Sequence, residues 1–319
     1  MGHLVMEIYI EPGASGNVLA TIAIGDSYYN AWKANALPGW VKYCRRHGLG
    51  LVVFNEELIS QDNPLWKKAH WQKMLMGEAL KESSPGVRNV CYLDTDILIN
   101  HIAPNIFESY DPETIGLTSL RKNLPFSYDE VLRRLAFLRH THYDNNYPLD
   151  SALFMTLEQL YKYHGLAVQA DEVCTGLIIF NVENHSTIMR GWFDKYDRNV
   201  KSLTNGGEQT HINFEMQNWG KISWFDYRFQ AIWPFEMAWK YPFLYDFGRE
   251  NPDLIRECIE ASLYANYFLH FAGAWHESAM WKMGGFFEDK RKKKLLEDYQ
   301  QYVDTPVTGA PRGQIKPKS

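Results

Sequence analysis

The sequence predicts an α/β protein with a largely parallel sheet covered by helices on both faces. Short apolar runs read as buried strands, helical segments lie between them, and a polar or acidic turn ends each of the clearest runs. VLATIAI, residues 18–24, is the first such run and stops at Gly25-Asp26-Ser27. A helical stretch follows from Tyr28, broken or restarted at Pro38, and continues to about His47. LGLVVF, residues 49–54, is the second strand, and residues 65–81, with Trp66, Trp71 and Lys73, form the next helix. Residues 87–93 are a third strand, and it ends in acid. Open sheets of this kind bind ligands beyond the carboxyl ends of their strands. That rule singles out Gly25-Asp26 and Asp94-Thr95-Asp96.

The second half is more mixed. Residues 127–140 read as an exposed basic helix carrying Arg133, Arg134 and Arg139, and TGLIIFNV, residues 175–182, as a strand. Residues 207–219 begin as a helix, 267–271 form a short strand ending near His270, and 288–302 form a charged helix. The Pro-, Gly- and Lys-rich tail from Thr305 is expected to be mobile.

A chain of 319 residues buries enough surface to fold without disulfide or metal staples. Its 45% hydrophobic and 22% charged residues exclude a disordered, collagenous or coiled-coil protein, and a net charge of −5 argues against nucleic acid as a partner. No apolar run reaches the roughly 20 residues that span a bilayer, and the first residues lack the basic head and apolar stretch of a signal peptide. Four scattered cysteines (Cys44, Cys91, Cys174, Cys258) fit a reducing compartment, so a cytoplasmic location is expected. The run Lys290 to Lys294 is flanked by acids and reads as a solvated helix face, with contact to an anionic membrane surface as the alternative. The 11 Trp, 19 Tyr and 17 Phe are mainly core, with stacking on sugars or bases as a second use.

The chemistry centres on NVCYLDTDILIN, residues 89–100. A buried strand delivers Asp94 and Asp96 at its end, and positions two apart in an extended segment point to the same side. Both carboxylates can therefore meet one hard cation, Mg²⁺ or Mn²⁺, which accept oxygen ligands and share them with substrate phosphates. The bland alternative is a polar turn after a strand. His270 in HFAGAWH offers a nitrogen ligand at another strand end, beside Gly273 and followed by His276. In NGGEQTHIN, residues 205–213, a glycine-rich turn leads Glu208 and Gln209 into a helix; its ordinary reading is a helix start with acid in the first turn. Asp150 and Asp171 are further acids read as surface or structural groups.

Taken in order, these segments resemble glycosyltransferase family eight, the nucleotide-sugar-dependent group of glycogenin and the bacterial galactosyltransferases. TIAIGDSYY resembles the first strand and nucleotide-contacting turn, and WQKMLMGEAL the helix with a donor-contacting lysine. YLDTDILI resembles the metal-binding strand, DEVCTGLIIFN the acceptor-side strand, NGGEQTHIN the sugar-facing loop, and HFAGAWH the HxxGxxK segment. The resemblance implies a GT-A fold with a Rossmann-like, mostly parallel central sheet flanked by helices and a smaller mixed acceptor-side subregion. It implies a single domain over residues 1–303, with a nucleotide-sugar-binding half at 18–100 and an acceptor-side half at 101–286, before a tail at 304–319.

The resemblance also assigns roles. Asp94, Asp96 and His270 would hold Mn²⁺ or Mg²⁺. Ile24, Gly25, Asp26, Tyr28, Lys73, Thr95, Gly273 and His276, with Asp94, would contact the nucleotide, UDP being favoured. Glu208 and Gln209 would face the transferred sugar, on its way to a glycan or other hydroxyl acceptor, with retention of configuration favoured over inversion, for which Glu208 or Asp150 could supply the base. Three residues depart from the family pattern: Cys174 stands in place of Asn, His276 in place of Lys, and Glu208 in place of Asp. Two rivals are a phosphohydrolase with an aspartyl nucleophile and a non-catalytic carbohydrate-binding or scaffold protein. The former carries its paired aspartates on the first strand, with Thr or Val where this chain has Leu98.

Overall fold

A computed structural model describes residues 6–143, 152–200, 202, 207–273, 276–291, 294, 295, 297 and 298; of His276 and Ser278 only the backbone is described. Asp150, residues 292, 293, 296 and 299–302 of the expected 288–302 helix, and the C-terminal tail lie outside the described residues.

The strands are β1 (Met6–Ile10), β2 (Asn17–Ile22), β3 (Gly50–Phe54), β4 (Asn89–Leu93), β5 (Ile97–Ile99), β6 (Ile115–Thr118), β7 (Leu177–Asn181), β8 (Ile222–Phe225), β9 (Ala231–Ile232) and β10 (Phe268–His270). Seven form the central sheet in the order β1-β3-β2-β4-β7-β6-β8. β2 pairs parallel with β3 and β4, and β6 parallel with β8, while β7 runs antiparallel to both β4 and β6. Five strands thus run one way, with β7 and the edge strand β1 opposed. The mostly parallel, helix-flanked sheet expected from the sequence is present. The smaller sheet has the order β5-β10-β9.

Alternation along the strands divides the core into two layers. Leu19, Leu51, Val53, Cys91, Leu93, Leu177 and Ile179 face one layer, with Trp32, Trp40 and Tyr43 from helices Asp26–Asn35 and Leu37–His47. Val18, Val52, Val90, Tyr92, Ile178 and Phe180 face the other, with Trp71, Met74, Phe193 and Ile212. Both faces being covered is why the central strands read as continuous apolar runs. Trp32 and Trp40 are wholly buried and meet edge to face at 5.7 Å, so much of the aromatic content is core.

Several boundaries differ from the sequence reading. The break expected around Pro38 is present: one helix ends at Asn35 and the next restarts at Leu37, with Pro38 in its first turn, where no backbone N–H is needed. The first helix begins at Asp26 rather than Tyr28. The expected helix at 65–81 is three pieces: Ala69–Gln72, a 3₁₀ turn at Lys73–Leu75, and Met76–Ser83. The tightened turn is where Lys73 enters the interior. β7 stops at Asn181 because the Asn181 side chain accepts from Asn184 N and caps the helix Val182–Asp194. The helix expected at 127–140 spans Tyr128–His142 and is not basic throughout its exposed face. Val131, Leu135, Leu138 and Arg139 recur at helical spacing and are buried, leaving Arg133 and Arg134 exposed.

Candidate functional site

The site forms where the two sheets meet. β4 ends at Leu93, paired with Leu177 of β7, and Asp94 N then donates to Gly176 O at 2.9 Å. Three residues later the chain enters β5, whose Ile97 pairs with His270 of β10. Phe271 N donates to Asp96 O at 3.1 Å, which holds the end of β10 against the acidic turn. This register brings Asp94, Asp96 and His270 together, with ligand atoms all within 4.8 Å of one another. His270 Nε2 lies 3.7 Å from Asp94 Oδ2 and 3.3 Å from Asp96 Oδ1.

Two carboxylates and an imidazole nitrogen suit a divalent cation such as Mn²⁺ or Mg²⁺. The fit is close-built on one side. A Cβ on Gly176 would lie 2.3 Å from His270 Cε1 and 2.8 Å from Asp94 Oδ2, so only glycine leaves these two groups their places. His270 Nδ1 sits 3.4 Å from Cys174 Sγ and 3.3 Å from Gln230 Nε2, leaving Nε2 toward the carboxylates. Burial disfavours its charged form, yet Cys174 and the Asp96 carboxylate hold His270 well above the usual histidine range.

Behind the acidic cluster lies a buried network. The Lys73 ammonium donates to Thr175 O and Glu208 Oε1, each at 2.8 Å, lies 3.7 Å from Asp94 Oδ1 and sits 4.7 Å from the centre of the Tyr92 ring. Burial alone would lower its pKa; Asp94 and Glu208 reverse that and raise it. Burial works to raise Glu208, but Lys73, His70 and the Thr175 hydroxyl hold it down at about 2. Thr175 Oγ1 donates to Glu208 Oε1 at 2.6 Å, and His70 Nε2 lies 3.8 Å from Glu208 Oε2. Tyr92 OH donates to Asp94 Oδ1 at 2.5 Å.

In front of the cluster opens a cavity of about 650 Å³. Ile24, Ser27, Tyr28 and Ala31 line it on one side, Lys68, Ala69 and His70 on another. Tyr92, Asp94, Thr95 and Asp96 line it where β4 ends, and Gly273, Ala279, Trp281 and Lys282 follow from β10. Tyr28 is 68% exposed. Gly25 precedes the helix at φ 90°, and Gly273 has φ 92°, conformations that side-chain-bearing residues rarely adopt. Asp26 occupies the first turn of that helix.

Of the residues named from sequence, the structure gathers Ile24, Tyr28, Asp94, Thr95, Asp96 and Gly273 around the cavity, with His270 buried at the cluster. Lys73 and Glu208 are buried in the network behind it. Gln209, which starts the helix Gln209–Trp219, donates to Glu172 Oε1 at 3.2 Å. The side chain of His276 lies outside the described residues. Sequence reasoning did not single out Lys68, His70, Tyr92, Trp281 or Lys282. His70 had one signal, its place one helical turn before Lys73.

No known protein family matches the sequence, and no curated protein matches it. Solved structures with a similar course of chain include a glycosyltransferase involved in the glycosylation of the major capsid of PBCV-1, with a TM-score of 0.46 and 11% identity over 84% of this chain and 98% of that one. The galactosyltransferase LgtC, in complex with donor and acceptor sugar analogues, gives a TM-score of 0.43 and 12% identity over 88% and 95%. The glycosyltransferase GlyE of Streptococcus pneumoniae gives 0.41 and 13% over 90% and 64%. At these levels the chemistry is read from the side chains.

Two outcomes follow from this geometry. Gly176→Ala should cost about 1–3 kcal/mol of stability through overpacking and weaken Mn²⁺ binding at least ~10-fold by displacing His270 or Asp94. Calorimetric Mn²⁺ titration of the folded variant checks this, and unchanged affinity would separate Gly176 from the cation site. Glu208, held at about 2 against an ordinary 4.5, stabilises the fold above pH 4.5 and loses that contribution as pH falls toward 2. Glu208→Gln should therefore cost about 3 kcal/mol at pH 6–7, with the gap to wild type narrowing below pH 4.5. Urea unfolding from pH 7 to 3 measures both; a pH-independent gap would contradict the buried pair.

Proposed function

We propose that this protein is a divalent-metal-dependent glycosyltransferase, moving a sugar from a nucleoside-diphosphate donor to a hydroxyl acceptor, such as a glycan. One observation carries the reading: two carboxylates and a histidine converge at the edge of a cavity whose wall also holds an exposed aromatic ring and lysines. A nucleoside diphosphate needs this set, a flat face for the base and positive charge for the phosphates. Tyr28 supplies the face, with Ile24, Gly25 and Asp26 shaping the surrounding turn. Resemblance of the motifs favours UDP as the nucleotide.

Asp94, Asp96 and His270 would hold Mn²⁺ or Mg²⁺, which supplies Lewis-acid stabilisation to a departing diphosphate. The chain's own residues do the rest. Lys73 places a fixed positive charge beside Asp94 and keeps the carboxylates from repelling each other. Lys68 and Lys282 add cationic character to the wall where phosphate oxygens would lie, and the motif resemblance assigns His276 a contact with the diphosphate. Thr95 and Gly273 keep the approach narrow and free of bulk. Glu208 lends negative charge to the sugar side from behind His70, and Gln209 orients at the head of its helix.

Glu208 also bears on stereochemistry. Inversion needs a base that takes the acceptor proton. A carboxylate held low by Lys73 and Thr175 is a weak base, so Glu208 is a poor acceptor for that proton; retention over inversion rests on the resemblance of the motifs. Release of the sugar then relies on positive charge at the phosphates.

The test is a panel of UDP- and GDP-sugars, following release of free nucleotide with Mn²⁺ present. At least one UDP-sugar should give turnover that chelator abolishes and added Mn²⁺ restores. Asp96→Asn, which removes a ligand charge at nearly constant volume, should lower kcat/KM about 100-fold or more. Full activity after metal removal, or no release from any sugar nucleotide by folded protein, would contradict the proposal.

A further inference from the structure

Arg139 and Glu277 form an ion pair from which water is excluded: their exposures are 3% and 0%. Arg139 Nε donates to Glu277 Oε1 at 2.9 Å, and Tyr245 OH donates to the same oxygen at 2.9 Å. Arg139 belongs to the helix Tyr128–His142, while Glu277 lies in the short helix His276–Ala279 that follows β10. A buried pair of this kind is a poor source of stability, because desolvation offsets most of the attraction. Its better use is to fix one arrangement, since every displaced alternative leaves a charge buried and unpaired.

The arrangement fixed here bears on the cavity. Helix 276–279 continues into the 3₁₀ turn Met280–Met283, which carries Trp281 and Lys282 into the cavity wall. That turn also packs on the helix Asp26–Asn35, the carrier of Tyr28. Glycines at 284 and 285, both at positive φ, end the segment. Glu277 therefore stands at the head of a wall that packs on the helices Asp26–Asn35 and Pro252–Ala265, and the ion pair ties that wall to a further helix, Tyr128–His142.

We propose that Arg139 and Glu277 are positioning residues for the donor site: their buried pair fixes segment 276–283, and with it the Trp281 and Lys282 side chains that receive the nucleoside diphosphate. The donor half of this rests on the function proposed above. The pair touches no substrate; it acts through the wall.

The experiment replaces the three groups together by apolar residues, Arg139→Met/Tyr245→Phe/Glu277→Leu, so that none of the three is left buried without the other two. A second variant, Arg139→Lys, keeps the charge but not the planar fork and serves the same comparison if the triple exchange does not fold. Hydrogen exchange of peptides covering 276–283 and calorimetric titration of UDP at saturating Mn²⁺ are the readouts. In a variant that stays folded, exchange in this segment should quicken at least ~10-fold and the UDP Kd should rise ~10-fold or more, with Mn²⁺ affinity and protection elsewhere near wild type. A folded variant with wild-type protection at 276–283 overturns the positioning role. Loosened exchange with unchanged UDP affinity overturns its link to the donor. Wild-type protein that binds no UDP with Mn²⁺ would instead sink the proposed function, the exchange arm still deciding the positioning.

Discussion

A lysine ammonium out of reach of water must be neutralised where it lies, and much of this site is arranged around that constraint. Lys73 is 1% exposed, and its charge is answered by Glu208 at 2.8 Å and Asp94 at 3.7 Å. These partners come from distant parts of the chain: one from the turn after β4, one from the residue that opens helix Gln209–Trp219. Removing either would leave charge in a medium where its desolvation costs several kcal/mol. The lysine thus ties three elements to one point, and that point adjoins the cluster of Asp94, Asp96 and His270. Glu208 is kept ionised by the same contact that keeps it from serving as a proton acceptor.

The cluster depends equally on a junction between sheets. Asp94 closes the pairing of β4 with β7, and Asp96 precedes the pairing of β5 with β10. The two carboxylates therefore stand on either side of the point where the chain leaves one sheet for the other, and the β5–β10 register delivers His270 to them. Gly176 is the space that makes this possible, since any side chain there would occupy the position of a ligand group. Geometry of this kind is set by backbone pairing, and backbone pairing is among the most rigid features a fold offers.

Much of this was legible in the sequence for local reasons. The apolar runs at 18–24, 49–54 and 87–93 are strands because both sheet faces are covered, and acids placed two apart after the third run announce themselves. What was not legible depends on contacts between distant residues. Arg139 reads as one more charge on a basic helix until Glu277, 138 residues away, is packed onto it. Lys68, His70 and Lys282 are ordinary polar residues in their local context, and only the cavity gives them a common purpose. The break of the 65–81 helix at Lys73–Leu75 likewise answers to partners at 175 and 208 rather than to its own periodicity.

The central claim is that Asp94, Asp96 and His270 share one cation that also meets the donor diphosphate. Anomalous diffraction from crystals of the wild-type protein soaked with MnCl₂ and UDP tests it most directly. The account predicts a manganese peak within bonding distance of all three side chains and of the UDP phosphates. Ordered UDP in the cavity with manganese bound elsewhere, or with none, would contradict it.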